Sequence, residues 1–121
     1  MPEPLNLTVS LRGTYEVIDN KYQIFRLTGL LDAFSEPVFT SVMKQRIDAG
    51  PSTIILSLAQ IDFVDSSGIG ALVQIVKYSQ NAGGTMQLVT NPRVTQTVKL
   101  VRLEKFLSLR SSIDEAVANL D

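Results

Sequence analysis

Two apolar patterns of different period meet at Asp62-Phe63-Val64-Asp65-Ser66-Ser67-Gly68-Ile69-Gly70, and this junction constrains the fold more than any other stretch. Upstream, Ile54, Ile55 and Leu56 form a continuous run rich in β-branched residues, the pattern of a strand buried on both faces. Downstream, Ile69, Leu72, Val73 and Val76 recur at the spacing of one helix face. The aspartate, serines and glycine between them make the nonapeptide a strand-to-helix corner. Asp65 and Ser66 each carry a short side-chain oxygen for the unpaired first-turn amides, so either serves as N-cap. Ser67 then lies in the first helical turn, with glycines behind it that let another backbone come close.

Composition narrows what such a corner can do. A chain of 121 residues makes one domain, 1–121 with its core from about 5 to 120, large enough for a real core without staples. Its net charge of −1 gives no bulk electrostatic case for nucleic acid or an anionic membrane, so neither is expected as a partner. No apolar run approaches the roughly 18 residues of a membrane-spanning helix. Met1-Pro2-Glu3-Pro4 lacks the basic and apolar regions of a signal peptide, so a cytoplasmic location is expected.

The sequence contains no cysteine and no histidine. Disulfides, thiolate nucleophiles, His-based zinc sites and Ser-His-Asp triads are therefore excluded. Other catalytic templates fail at the corner itself. A phosphate-cradling P-loop needs a lysine after the glycines, and a metal site using Asp65, Ser67 and position 69 meets Ile69. A nucleophile elbow needs Gly-x-Ser-x-Gly and a histidine. An aspartyl-phosphate site wants its second carboxylate two residues on, whereas Asp62 and Asp65 are three apart. No enzyme, metal or cofactor is expected.

The remaining elements follow in order. Leu5 to Ile18 reads as extended, with Gly13 marking a bulge or bend, and Asp19-Asn20-Lys21 turns the chain into a second strand, Tyr22 to Thr28. Tyr15 and Tyr22 are expected to pair across this hairpin. Ser35 caps a helix to Ala49, with Glu36 and Pro37 in its first turn and Gly50-Pro51 ending it through a left-handed cap. Ser52 to Leu58 is a strand, the corner helix runs to about Asn81, and Thr85 to Thr90 is the next strand. Asn91-Pro92 starts a third helix, preferred over a strand because neighbouring strands need a crossover. Phe106 to Leu109 is a short strand, and Ser112 with Glu115 forms a capping box before a terminal helix. Strand–helix–strand units behind a hairpin predict an α/β domain with a mixed, mostly parallel sheet and about four helices.

Residue types alone leave two readings of the corner open. Asp65-Ser66-Ser67 is a helix cap with glycines that ease packing, or it is a serine site for phosphorylation. A phosphate there brings about −1.5 to −2 charge to a helix N-terminus, which the fold tolerates and a docked partner does not.

Phe63-Val64-Asp65-Ser66-Ser67-Gly68-Ile69-Gly70 resembles the signature of the STAS domain, found in sulfate transporters and anti-sigma factor antagonists. Gly29-Leu30-Leu31-Asp32 resembles the family's Gly-x-Leu-Asp element, and Asn91-Pro92-Arg93-Val94 resembles a third. The resemblance implies a STAS-like fold and a bacterial partner-switching regulator. It implies phosphorylation of Ser67, less so Ser66, by an anti-sigma factor that is a serine kinase with a histidine-kinase-like ATPase fold. A PP2C-type phosphatase would reset the switch. Asp32, Asp65, Ser66, Gly68 and Ile69 would lie on the kinase-binding face, with Gly68 leaving room for the partner. The alternative is a STAS-type module that binds a small ligand or another signalling enzyme without phosphorylation.

The chain departs from the family pattern in three places. Leu30 stands where an acidic or polar residue is common, Arg102 where many members have glycine, and the N-terminal extended region is longer. Lys99, Arg102 and Lys105 read as a solvated face. Phe39 reads as core, whereas Phe34 is an interface candidate.

Overall fold

The protein, seen in a computed structural model that describes residues 2–120, turns first at Asp19-Asn20. Both residues adopt positive φ, 52° and 56°, and the Lys21 amide donates to the Ile18 carbonyl at 2.9 Å. Aspartate and asparagine tolerate this left-handed backbone better than most residues, so the turn is built from suitable material. It joins β2 (Leu11–Ile18) to β3 (Tyr22–Leu31), with β1 (Glu3–Leu5) antiparallel on the outer side of β2.

The rest of the sheet is parallel, in the order β1-β2-β3-β4-β5-β6. Its later strands are β4 (Ile54–Val64), β5 (Met86–Val89) and β6 (Leu109–Arg110). The connecting helices are α1 (Glu36–Ala49), α2 (Ser66–Asn81) and α3 (Pro92–Leu100), followed by α4 (Ile113–Ala118). Phe39, Met43 and Ile47 of α1 and Leu72, Ile75 and Val76 of α2 pack in one cluster with Phe25, Leu27, Leu56 and Leu58 of the sheet. Val94 and Val98 of α3 join the same cluster. A second, smaller cluster on the other strand parity joins Ile24, Ile55 and Val89 to Ala116 of α4, rimmed by Ile18, Tyr22, Ile113 and Leu120.

The fold is the α/β arrangement the sequence predicts, but several details differ. The N-terminal extended run is two strands, interrupted over residues 6–10 where Val9 is 97 % exposed. Gly13 is neither bulge nor bend, because the β2–β3 register runs through it unbroken. Its missing Cβ makes room for the Arg26 carbonyl, 2.7 Å from where that carbon would sit. Tyr15 faces Phe25, ring centroids 6.2 Å apart, and Tyr22 faces Ile18, since the turn sets the register.

Both central strands outrun their apolar runs. β3 continues to Leu31 through Gly29, whose φ of +110° suits glycine, and β4 continues to Val64. Asp62-Phe63-Val64 is therefore strand, and the corner proper begins at Asp65. At α1, Gly50 is extended rather than left-handed, and Ser35 does not cap the helix through its side chain. The last strand is Leu109–Arg110, after a turn that buries Leu107 and leaves Phe106 exposed. The Ser112 hydroxyl caps α4 by accepting from the Glu115 amide, but the Glu115 carboxylate reaches back to the amide of Ser111, one residue beyond the expected box.

Candidate functional site

The parallel strands β3, β4 and β5 all end at one edge of the sheet, the end at which open α/β folds present their sites. Three chain segments follow them there: Asp32–Ser35 before α1, Asp65 before α2, and Asn91 before α3. Side chains with short polar ends lock each one.

Asp65 is the N-cap, so the choice left open between Asp65 and Ser66 falls to the aspartate. One carboxylate oxygen accepts from the Gly68 amide at 2.9 Å, closing the first turn of α2. The other accepts from the Ala33 amide at 3.1 Å, across to the segment before α1. One side chain thus caps a helix and fixes the distance between two loops. The backbone supports the same union, with the Asp65 amide 3.3 Å from the Leu31 carbonyl.

The Asp32 carboxylate accepts from the Phe34 and Ser35 amides at 3.1 and 3.0 Å. Ser35 is fully buried, and its hydroxyl donates to the Leu30 carbonyl at 2.9 Å while accepting from the Asp32 amide at 3.0 Å. At the third segment, Asn91 caps α3 by accepting from the Val94 amide at 2.8 Å. Its amide group donates to the Ile61 carbonyl at 2.8 Å, and Arg93 donates to the Asp62 carbonyl at 3.0 Å. The three segments singled out in the sequence thus converge on one rim.

Ser66 is exposed and Ser67 half-buried, both in the first turn of α2. Among the described residues neither hydroxyl has a protein hydrogen-bond partner, in contrast to Ser35, Ser79 and Ser112. Their backbone amides lie at a helix N-terminus, where the dipole favours negative charge.

Two expected contact residues are inside the fold. Ile69 is 5 % exposed and packs in the main core. Gly68 is buried too, and the room it leaves is taken by this chain: a Cβ there would sit 2.3 Å from the Leu31 carbonyl oxygen. Neither presents a surface to a partner. Gly70 does, since a Cβ there would meet nothing within 4 Å. Sequence reasoning missed Phe63, which is 50 % exposed although it lies in β4, and the internal anchoring role of Ser35. Strict alternation would place Phe63 on the same face as buried Ile61. The register shift between Gly29↔Ile61 and Leu30↔Phe63 sets two β4 steps against one of β3 and turns Phe63 outward, a cause that the residues of β4 alone do not announce.

This geometry, two loops latched by an aspartate beside a helix-start serine at the parallel edge, defines a protein class rather than an isolated motif. The STAS domain family model matches residues 14–116, and the chain belongs to that family. A Thermotoga neapolitana protein named as an anti-sigma factor antagonist is 29 % identical over 77 residues, 63 % of this chain and 68 % of its own. An anti-sigma factor antagonist from Mycobacterium paratuberculosis superposes with a TM-score of 0.82 at 19 % identity, covering 92 % of this chain and 94 % of that one. The anti-sigma factor antagonist SpoIIAA in its unphosphorylated form gives 0.74 at 22 % identity, covering 87 % and 92 %. The Bacillus protein in its phosphorylated form gives 0.69 at 20 %, covering 90 % and 99 %.

Proposed function

We propose that this protein is an anti-sigma factor antagonist switched by phosphorylation of Ser67. Unphosphorylated, it binds through the rim to a cognate anti-sigma factor that is also a serine kinase with a histidine-kinase-like ATPase fold. Phosphorylation ends that complex, and a PP2C-type phosphatase restores the binding form. The observation that carries this reading is the unpartnered Ser67 hydroxyl at the start of α2, beside an Asp65 carboxylate fully engaged in holding the rim. The serine is free to react without loss of any contact that the fold uses. Ser66 shares the free hydroxyl and is the less favoured acceptor. That a structural relative, SpoIIAA, is described in phosphorylated and unphosphorylated forms supports the same assignment. The switch we propose is cytoplasmic; among the described residues no helix is long and apolar enough to cross a membrane.

The energetics are sufficient for a switch. A phosphate of about −1.5 to −2 charge placed in a water-excluded contact beside Asp65 loses hydration and feels its neighbour more strongly, a penalty of several kcal/mol. Since each 1.4 kcal/mol is about tenfold in affinity, roughly 3–4 kcal/mol weakens binding several hundredfold. The helix dipole returns only about 0.3–1 kcal/mol, in the free and docked protein alike. The charge therefore acts on the complex, not on the fold.

Incubation with ATP and the cognate kinase should add one phosphate by intact mass, and Ser67→Ala should abolish the gain. Ser67→Asp should weaken binding by at least tenfold with thermal stability nearly unchanged. A mass gain that survives Ser67→Ala would move the site. No gain with an anti-sigma factor that does bind would favour a STAS module working without phosphorylation.

A further inference from the structure

Phe34 is 74 % exposed, so it adds little burial to its own core, yet the loop that carries it is fixed at every amide. The Ala33 amide donates to Asp65 at 3.1 Å, and those of Phe34 and Ser35 donate to Asp32 at 3.1 and 3.0 Å. Buried Ser35 pins the loop to the Leu30 carbonyl at 2.9 Å. Two carboxylates thus satisfy three consecutive amides, and the Glu36 amide, 2.9 Å from the Asp32 carbonyl, closes the turn into α1, so exposed Phe34 projects from a backbone held on both sides. On the same rim, Phe63 is 50 % exposed at the end of β4, in register with Leu30 of β3. Preceding it, exposed Asp62 has no ion pair among the described residues.

We infer that Phe34 is a preorganised aromatic anchor for the partner, seconded by Phe63, and that the partner face receiving it is an apolar pocket edged by lysine or arginine. A large aromatic side chain with two rotatable bonds, already fixed at its backbone, loses little entropy on docking and removes much apolar surface from water. The neighbouring Arg93 donates to the Asp62 carbonyl at 3.0 Å and makes no ion pair with its carboxylate, which is left as the charge to which a cationic pocket edge is complementary. Asp32 is a positioning residue: its charge is spent on the loop amides, and it acts on the partner through Phe34. This inference rests on the antagonist reading and names the partner's chemistry at that site.

The test titrates the anti-sigma factor that this protein antagonises against wild type, Phe34→Ala, Asp32→Asn, Asp32→Ala and the double variant Asp32→Ala/Phe34→Ala. Ser67 phosphorylation and melting temperature are measured on each. Phe34→Ala should lose at least about thirtyfold in affinity at an unchanged melting temperature. Asp32→Asn keeps an acceptor for both amides and should bind within a few-fold of wild type, whereas Asp32→Ala should lose nearly as much as Phe34→Ala. The double variant should be scarcely worse than either single one, a coupling that an independent structural role of Asp32 would not produce. If wild type is bound and phosphorylated while Phe34→Ala binds equally well, the anchor is refuted and the antagonist reading stands. If no anti-sigma factor binds and Ser67 is not modified, the antagonist reading fails and the anchor with it.

Discussion

Arg102 holds a φ of +60° just after α3, and its side chain is exposed. For a residue with a Cβ this left-handed backbone costs about 1–2 kcal/mol, which glycine largely avoids. Glycine gives back about 0.5–1 kcal/mol through the greater freedom of the unfolded chain. Arg102→Gly should therefore raise stability by up to about 1 kcal/mol, read as a later midpoint in urea; an earlier midpoint would mean that the arginine makes a contact worth more than its strain. The departure from the family pattern at this position was legible in the sequence, and the positive φ supplies its physical meaning. Caps were legible for a similar reason. Asp65, Asn91 and Ser112 act on amides three residues away, so their chemistry is local. Ser35 and Gly50 were misread because their environments are not: Ser35 serves the Leu30 carbonyl, and Gly50 sits against the side chain of Gln23. Gln23 in turn donates to the carbonyls of Arg46 and Pro51, at 2.8 and 2.7 Å. Nothing in the residues around position 50 announces a glutamine more than twenty places earlier.

At the scale of elements, α1 and α2 are joined on their outer faces by the Tyr78 hydroxyl, which donates to Asp48 at 2.7 Å. Lys44 of α1 lies 5.4 Å from the centre of the Tyr78 ring. The hydrogen bond to the Asp48 carboxylate, with smaller help from desolvation and from the carboxylate's charge, raises the Tyr78 pKa above its ordinary 10.0. A raised folded-state pKa means that the contribution is complete below the unfolded value. It is then lost as pH climbs from about 10 through the folded value, because the unfolded tyrosine ionises first. Wild type and Tyr78→Phe should therefore differ in stability below about pH 10 and converge above it, as followed by urea unfolding from about pH 8 to about pH 12. A difference that stays constant across that range would remove the carboxylate from the explanation. Element boundaries show the same division between local and distant causes. The apolar run of β4 stops at Leu58, but pairing with β3 at Thr28↔Gln60, Gly29↔Ile61 and Leu31↔Val64 carries the strand six residues further. Sequence periodicity registers side-chain burial, whereas strand length is decided by a neighbour's backbone. The candidate site was legible as three segments, two through their caps Asp65 and Asn91 and the first only through the resemblance of Gly29-Leu30-Leu31-Asp32 to a family element; that they form one rim follows from those longer strands.

For the whole molecule, the sheet carries functions at opposite places: the rim at the ends of β3 and β4, and a second core that depends on a short terminal helix. Ile24, Ile55 and Val89 are 5 %, 0 % and 2 % exposed, and α4 closes their cluster with fully buried Ala116, aided by Ile113 and Leu120. A six-residue helix is too short to be stable alone in water, so α4 exists by virtue of that packing. The dependence runs both ways. Re-exposing three large aliphatic side chains costs up to about 1.5–3 kcal/mol each. The resulting loss, up to about 4.5–9 kcal/mol, is comparable with the 5–15 kcal/mol total stability of an ordinary domain. Removing residues 112–121 should thus unfold the protein or leave it expanded, with apolar surface open to a hydrophobic dye. The milder Ala116→Asp should act in the same direction by burying an unpaired charge. Neither change touches Asp32, Asp65 or Ser67, so any loss of partner binding should track the fraction folded, measured by urea titration alongside affinity. A truncated chain with an unchanged urea midpoint would show that the second face needs no cover. A truncated chain that remains folded but no longer binds would place part of the partner surface on α4 instead of the rim.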